Sequence, residues 1–132
     1  MHILVVDDEI LNRTILARLL LNFGYQSTEA ASGREALLLL AQSRFDLVLM
    51  DLQMPECDGY TTTIMIRAPE SSTLNPDIPV IALTADSGAG THERCLASGM
   101  DDYLVKPVPC DLLQATISKW LLRRQTSDAS QN

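Results

Sequence analysis

Short apolar runs alternate with stretches of helical periodicity along the chain. The runs at residues 2–7, 45–51 and 78–84 are continuously apolar, which is typical of strands covered on both faces. The more polar run 25–30 and the short run 102–105 complete the predicted strands. Helices are predicted at residues 9–23, 33–43, 58–67, 88–99 and 109–123. This alternation predicts an α/β fold with a parallel sheet, right-handed crossovers and helices on both faces.

Apolar stripes mark the first and last helices. The stripe of the first helix consists of Leu11, Ile15, Leu19 and Phe23, with Leu16 and Leu20 beside it. That of the last helix uses Leu112, Leu113, Ile117, Trp120 and Leu121. Because stripes of this kind face a core, these side chains are the predicted core contacts of the two helices.

Length and composition indicate one domain. A chain of 132 residues with 46% hydrophobic residues can bury a single core. We expect this domain at residues 1–123. The polar residues 124–132 offer nothing to pack and are predicted to form a flexible tail.

Charge and hydropathy exclude several classes of function. A net charge of −7 argues against direct binding to nucleic acid, which depends on clustered Lys and Arg. No apolar run approaches the roughly 18 residues of a membrane span. The N-terminus "MHILVVDDE" has no basic region before its apolar run, unlike a secretory signal. A cytoplasmic location is therefore expected.

Polar residues collect where the predicted strands end. The first strand ends in Asp7 and Asp8, the third in Asp51 and the fourth in Thr84, and Lys106 follows the fifth. In parallel α/β sheets, ligands bind outside the carboxyl ends of the strands. Three carboxylates, a hydroxyl and an ammonium are thus expected at one edge.

Three ionised carboxylates need a cation or protons beside them. Two unit charges about 4 Å apart repel by roughly 4 kcal/mol at an effective dielectric of 20. Oxygen ligands without Cys or His suit Mg²⁺, or Mn²⁺ in its place. The spacing of an EF-hand calcium loop is absent from the sequence.

The motifs "VVDDE", "LMDLQMPECDGY", "IALTA" and "DDYLVKPV" resemble the receiver domain of bacterial two-component response regulators. They are most similar to the receivers of hybrid sensor histidine kinases, and the resemblance runs from about residue 2 to residue 122. It implies a flavodoxin-like, doubly wound (βα)5 fold with a five-stranded parallel sheet in the order 2-1-3-4-5. It also implies a phosphoacceptor signalling domain rather than a turnover enzyme, one that assists its own phosphorylation and dephosphorylation.

The resemblance assigns a role to each residue of this edge. Asp51 corresponds to the phosphoacceptor, which takes a phosphoryl group from a histidine kinase or a histidine phosphotransfer protein. Asp7, Asp8, Asp51 and the backbone carbonyl of Gln53 correspond to the Mg²⁺ ligands. Thr84 and Lys106 correspond to the groups that contact the phosphoryl oxygens, and the Lys106-Pro107 bond is expected to be cis.

Switching and partner binding follow from the same resemblance. Thr84 and Tyr103 correspond to the pair that rearranges on phosphorylation, with residues 88–123 as the readout face. Gln53 and Asp86 occupy the variable positions that tune loss of the phosphoryl group. At the start of the first helix, the expected contacts with the partner are Ile10, Leu11 and Arg13.

Other interpretations of these residues remain open at this point. Asp7 and Asp8 could cap the first helix, Thr84 could be a turn residue, and Tyr103 could be ordinary packing. A phosphatase of the haloacid dehalogenase type also forms an aspartyl phosphate, but its Asp-x-Asp pattern is absent at Asp51. A flavin-binding domain would need a hydroxyl-rich loop after the first strand. A receiver that never becomes phosphorylated is the third alternative.

Overall fold

The computed structural model describes residues 1–54, 58–86 and 88–130. The strands are β1 (His2–Val6), β2 (Gln26–Ala30), β3 (Leu47–Asp51), β4 (Val80–Thr84) and β5 (Asp102–Val105). The helices are α1 (Ile10–Asn22), α2 (Gly33–Gln42), α3 (Gly59–Arg67), α4 (Ala89–Ser98) and α5 (Cys110–Ser130). The predicted alternation of strands and helices is confirmed, with strand starts up to two residues later than expected. Among the described residues, no helix combines the length and apolar character needed to cross a membrane.

All five strands pair in parallel in one sheet with the order β2-β1-β3-β4-β5. β3 lies at the centre and is buried along its whole length, as is β4. Successive residues of a strand point to opposite faces, so each strand contributes to two cores. One core lies under α1 and α5, and the other lies under α2, α3 and α4. The predicted flavodoxin-like topology is confirmed.

The apolar stripe predicted for α1 is only half correct. Leu11 and Ile15 are exposed to 66% and 51%, whereas Leu19 and Phe23 pack against the core. Because α-helices have 3.6 residues per turn, a row of every fourth residue rotates by about 40° per step. The row therefore starts in solvent and reaches the core only at its C-terminal end. The fully buried residue of α1 is Leu20.

The last helix differs from the prediction in the exposure of Leu112 and in the position of its C-terminal end. Leu113, Ile117 and Leu121 form its buried row, but Leu112 lies beside that row and is 48% exposed. The helix continues to Ser130, so its predicted end at residue 123 was too early. The expected flexibility of residues 124–132 stays a prediction, and residues 131 and 132 lie outside the described part.

Local hydrogen bonds fix the starts of α2 and α3. Ser32 caps α2, where its Oγ accepts from the N–H of Glu35 over 3.1 Å. Asp58 caps α3, where its Oδ1 accepts from the N–H of Thr61 over 2.8 Å. Such caps satisfy backbone donors that the first helical turn leaves free.

At the amino ends of the strands, Arg67 joins α3 to β4 and β5. Its guanidinium donates to the carbonyl oxygens of Gly99, Pro76 and Ile78 at 3.0, 2.6 and 2.6 Å. It also donates to Asp101 Oδ2 over 2.9 Å, and the same oxygen accepts from the N–H of Val80. This network lies at the edge opposite the predicted site and has no signature in the sequence pattern.

Candidate functional site

The strand ends bring three carboxylates together. Asp51 is the last residue of β3, and Asp7 and Asp8 directly follow β1, its neighbour in the sheet. One oxygen from each of the three residues lies within 4.8 Å of the other two. Asp7 and Asp51 are only 1% and 4% exposed, whereas Asp8 is exposed. The acidic cluster expected from the sequence is therefore present.

Lys106 brings a positive charge to the same cluster. Its Nζ lies 3.4 Å from Asp51 Oδ1 and 3.9 Å from Asp7 Oδ2. The lysine directly follows β5, and its bond to Pro107 is cis, as the resemblance implied. One ammonium thus lies within 4 Å of two of the three carboxylates, and it can balance only one negative charge.

Three polar side chains at the strand ends are oriented by hydrogen bonds to nearby backbone N–H groups. In each case, the side-chain oxygen accepts the N–H two residues further along, an arrangement typical of Asp and Thr in tight turns. The pairs are Glu9 N to Asp7 Oδ1 at 2.9 Å, Gln53 N to Asp51 Oδ1 at 3.2 Å, and Asp86 N to Thr84 Oγ1 at 3.0 Å. The turn role weighed for Thr84 is therefore real, and it coexists with a place in the cluster. Asp7 and Asp8 do not cap α1, whose N-cap residue is Glu9, without a side-chain cap.

The surroundings of Asp51 raise the pKa of its carboxyl. Burial raises the pKa of the Asp51 carboxyl, and the nearby charge of Asp7 raises it further. The N–H of Gln53 and the ammonium of Lys106 oppose this rise. Without a metal ion, the ionised form of Asp51 therefore lowers the free energy of unfolding.

The residues present fit a magnesium ion. Asp7 Oδ2 is buried and has no hydrogen-bond partner among the described residues. The Lys106 ammonium lies 3.9 Å from this oxygen, beyond hydrogen-bond distance. Buried carboxylate oxygens normally have a partner, so this atom is suited to a cation. The cluster offers oxygen ligands alone, which is the donor set that Mg²⁺ prefers.

Tyr103 and Thr84 sit on adjacent strands. Thr84 is 2% exposed and lies opposite Val105 in the strand pairing of β4 with β5. Tyr103 lies opposite Ala82, two residues before Thr84. Tyr103 is half-buried and packs against the core under α4. Its ring packs against the ring of His92 with a centroid distance of 4.6 Å and a tilt of 32° between the planes, a contact that the sequence did not indicate.

The three residues predicted to contact the partner differ in their exposure to solvent. Ile10 and Leu11 are exposed to 70% and 66% at the start of α1, next to Asp8. Arg13 is engaged within the chain, since its Nη1 donates to the carbonyl oxygen of Asp7 over 2.7 Å and its Nε to Glu29 over 3.3 Å. Its side chain is 13% exposed, so it braces the strand end and offers little surface.

Two clefts flank the cluster. A mostly apolar groove of about 430 Å³ runs between α1 and the start of α5, with Lys106 and Pro107 at one end. A second cleft of about 490 Å³ opens beside Gln53 and Thr84 and is lined by Thr91 and Arg94 of α4. Sequence reasoning did not single out Thr91, although a Thr in the first turn of a helix is a signal for local hydrogen bonding.

Comparison with known proteins identifies the family. The response regulator receiver domain matches residues 3–118. The chain belongs to this family. It is a receiver domain of two-component signalling, and the dehalogenase-type phosphatase and the flavin-binding domain are not favoured.

The curated relatives include transcriptional regulatory proteins and sensor histidine kinases. The transcriptional regulatory protein ZraR of Escherichia coli K12 is 46% identical over 127 residues, which cover 96% of this chain and 28% of ZraR. The sensor histidine kinase RcsC of the same organism is 42% identical over 127 residues, or 96% of this chain and 13% of RcsC. The chain thus spans less than a third of each of these relatives.

Solved structures share the receiver fold. The receiver domain of the sensor histidine kinase PA1611 from Pseudomonas aeruginosa PAO1 superposes with a TM-score of 0.81 and 39% identity, covering 91% of this chain and 96% of that one. That structure has a magnesium ion coordinated in its active-site cleft. A response regulator from Chloroflexus aurantiacus gives a TM-score of 0.84 at 30% identity, covering 92% of this chain and 97% of that one.

Proposed function

We propose that Asp51 accepts a phosphoryl group from a phosphohistidine of a histidine kinase or a histidine phosphotransfer protein. An oxygen of the Asp51 carboxylate attacks phosphorus, the P–N bond breaks, and the imidazole nitrogen leaves with the bonding electron pair. The observation that carries this proposal is the cluster itself: three carboxylates within 4.8 Å, with the Lys106 ammonium 3.4 Å from Asp51.

The acidic residues of the cluster would hold the metal. Asp7, Asp8, Asp51 and the backbone carbonyl of Gln53 are the proposed ligands of Mg²⁺, or of Mn²⁺ in its place. When bound, the ion supplies positive charge to the phosphoryl oxygens. The turn contacts of Asp7 and Asp51 keep their carboxylates directed at the cluster before any ligand arrives.

Lys106 and Thr84 would contact the incoming phosphoryl group. The Lys106 ammonium is a compact charge that can pair with one phosphoryl oxygen. The Thr84 hydroxyl already accepts from the N–H of Asp86, so its own hydrogen is free to be donated to another oxygen. Phosphoryl transfer needs mainly such positioning and charge neutralisation.

Phosphorylation would be read out on the face formed by α4, β5 and α5. Movement of Thr84 toward the phosphoryl group would alter the packing of Tyr103, which touches α4 through His92. Couplings of this kind are typically about 1 to 3 kcal/mol. The domain would also assist hydrolysis of its own acyl phosphate, with the residues at Gln53 and Asp86 setting the rate.

The partner would approach over the start of α1. A protein that delivers a phosphoryl group to Asp51 must cover the edge on which Asp8 lies, and Ile10 and Leu11 are the exposed apolar side chains beside it. The apolar groove next to Lys106 continues this surface toward α5. We propose no direct contact with nucleic acid, given the net charge of −7.

The decisive experiment follows phosphorylation by intact mass. With acetyl phosphate and Mg²⁺, we expect the chain to gain one phosphoryl group, while Asp51→Asn stays unmodified. Asp46→Asn is the matched control, because Asp46 lies at the opposite edge and its oxygen can still accept the N–H of His2. Uptake by Asp51→Asn at the same rate would overturn the site, and steady hydrolysis of phosphate esters would overturn the function.

A second experiment tests whether a phosphohistidine protein is the phosphoryl donor. The chain should also take up phosphate from phosphorylated histidine kinases or phosphotransfer proteins, with a marked preference for one of them. Exchange of Ile10 and Leu11 for Ser should slow this transfer and leave loading by acetyl phosphate unchanged. Equal slowing with both donors would mean that the two residues act on the site and not on partner binding.

A further inference from the structure

Both carboxylate oxygens of Asp86 are engaged in the connection from β4 to α4. The hydroxyl of Thr91 donates to Oδ2 over 2.7 Å, and the N–H of Gly88 donates to Oδ1 over 2.9 Å. These bonds, that of Thr91 first, hold the pKa of the Asp86 carboxyl below its ordinary value. A side chain that lies at the surface is therefore anchored to the first turn of α4.

The backbone of the same residue contacts the proposed phosphoryl site. The N–H of Asp86 donates to Thr84 Oγ1 over 3.0 Å, and Thr84 is 2% exposed. A hydroxyl has one hydrogen and two lone pairs, so an occupied lone pair restricts the directions in which the hydrogen can point. The position of the Asp86 N–H thus helps to set the orientation of the Thr84 hydroxyl.

We propose that Thr91 is a positioning residue for phosphoryl transfer, acting through Asp86 on the hydroxyl of Thr84. The inference rests on the proposed function, since it gives a further residue of that same site a role. Thr91 contacts none of the reacting atoms. It fixes the carboxylate of a residue whose own N–H orients the hydroxyl, and a donor oriented in advance needs less reorientation during the reaction.

This assignment changes the role of Asp86. A carboxylate at this position could act directly on the attacking water or repel the phosphoryl group through its charge. Here both oxygens already accept hydrogen bonds from α4 and its preceding loop. In this proposal, Asp86 acts on Thr84 through its backbone N–H, and its side chain holds that backbone in place in addition to any direct effect of its charge.

The test compares variants of Thr91 in the rate at which acetyl phosphate and Mg²⁺ phosphorylate the chain. In this reaction the P–O bond to acetate breaks, and acetate leaves with the electron pair. Thr91→Val keeps the shape and removes the donor. We expect its rate at saturating donor to fall about three- to ten-fold, the effect of one hydrogen bond, with the half-saturating donor concentration unchanged. Thr91→Ser should restore the rate.

Three further measurements separate positioning from a general structural effect. The pKa of the Asp86 carboxyl, followed by NMR, should rise in Thr91→Val and not in Thr91→Ser. Asp86→Ala should slow loading, and the double variant should be no slower than Asp86→Ala, as expected for residues that act as one unit. Thr116→Val, which removes a helical hydroxyl of α5 that donates to the Leu112 carbonyl, is the matched control.

The outcomes are distinct. Failure of the unsubstituted chain to take up phosphate would refute the proposed function. Normal uptake with an unchanged rate in Thr91→Val would refute the positioning role alone. The role is also refuted if Thr91→Ser is as slow as Thr91→Val, or if the change is confined to the donor concentration, because either result would exclude orientation of Thr84 by the hydrogen bond.

Discussion

A Cβ atom on Gly59 would lie 2.6 Å from the carbonyl oxygen of Asp51. It would also lie 3.0 Å from Met50 Cγ and 3.1 Å from Leu52 Cα. The first residue of α3 is thus pressed against the end of β3, where the proposed phosphoacceptor lies. Glycine is required here by contact between two backbones rather than by an unusual backbone conformation.

Gly59→Ala should therefore disturb both stability and phosphorylation. Backbone atoms must move to admit the methyl group, and overpacking of this kind costs about 1 to 3 kcal/mol. We expect urea denaturation to show this loss and loading by acetyl phosphate to slow. The matched control is Gly90→Ala in α4, where a Cβ meets nothing within 4 Å and should stabilise the helix by about 0.5 to 1 kcal/mol. Equal stabilities of the two variants would contradict the close contact.

Asp51→Asn should stabilise the metal-free protein at neutral pH. Burial is the main cause that raises the pKa of Asp51, so the folded state binds this proton more tightly than the unfolded chain does. The ionised carboxylate therefore destabilises the fold above its raised pKa, and this penalty is absent below the ordinary value of about 4. In EDTA, we expect a gain on the order of 1 kcal/mol at pH 7 that disappears as the pH falls toward 4. A gain independent of pH would contradict this origin.

Magnesium should stabilise the folded chain, and Asp8→Asn should weaken that effect. Asp8 is the exposed member of the cluster, so its exchange leaves the core unchanged while one ligand charge is lost. We expect the affinity for Mg²⁺, measured from the rise of Tm with ion concentration, to fall about ten-fold or more. Glu93→Gln removes an equal charge from the exposed surface of α4 and serves as control. The same loss in both variants would indicate a general effect of net charge.

His92→Ala should loosen Tyr103. The two ring centroids lie 4.6 Å apart, and aromatic pairs contribute about 0.5 to 1.5 kcal/mol. NMR of the Tyr103 ring should show faster flipping and a shift toward the spectrum of the phosphorylated protein. His2→Ala is the control, because the His2 ring packs against Phe45 at the amino ends of the strands, also with a centroid distance of 4.6 Å. Unchanged Tyr103 signals in His92→Ala would mean that this contact does not hold the ring.

Arg67→Ala should destabilise the fold without affecting the metal site. The carbonyls of Gly99, Pro76 and Ile78 would lose this donor, and each group left unpaired costs about 1 to 3 kcal/mol unless water replaces the donor. Asp101 Oδ2 would keep only the N–H of Val80. We expect a loss above 2 kcal/mol in urea denaturation, with Mg²⁺ affinity unchanged. Arg67→Lys should recover only part of it, since an ammonium cannot reproduce the planar guanidinium contacts. Arg44→Ala, at an exposed arginine, should have little effect.

The sequence predicted what depends on strand order and strand ends. Asp7, Asp51 and Thr84 could be placed together because apolar runs of the right length end at these residues and parallel strands end at one edge. It could not predict Arg67 or the packing of His92 against Tyr103, since both depend on contacts between distant segments. Nor could it distinguish the exposed Leu11 from the buried Leu20, because the apolar positions of α1 exceed one stripe and only packing decides which of them face the sheet.

The turns that hold Asp7, Asp51 and Thr84 each involve a residue and the one two positions later. These turns therefore depend on short-range contacts, and the exposed side chains of Ile10 and Leu11 contribute none of them. In the proposed function, chemistry and partner recognition would thus depend on different side chains. If so, exchange of Ile10 and Leu11 would alter the choice of donor and leave the proposed phosphorylation chemistry intact, so that one reactive edge could serve many signalling pairs.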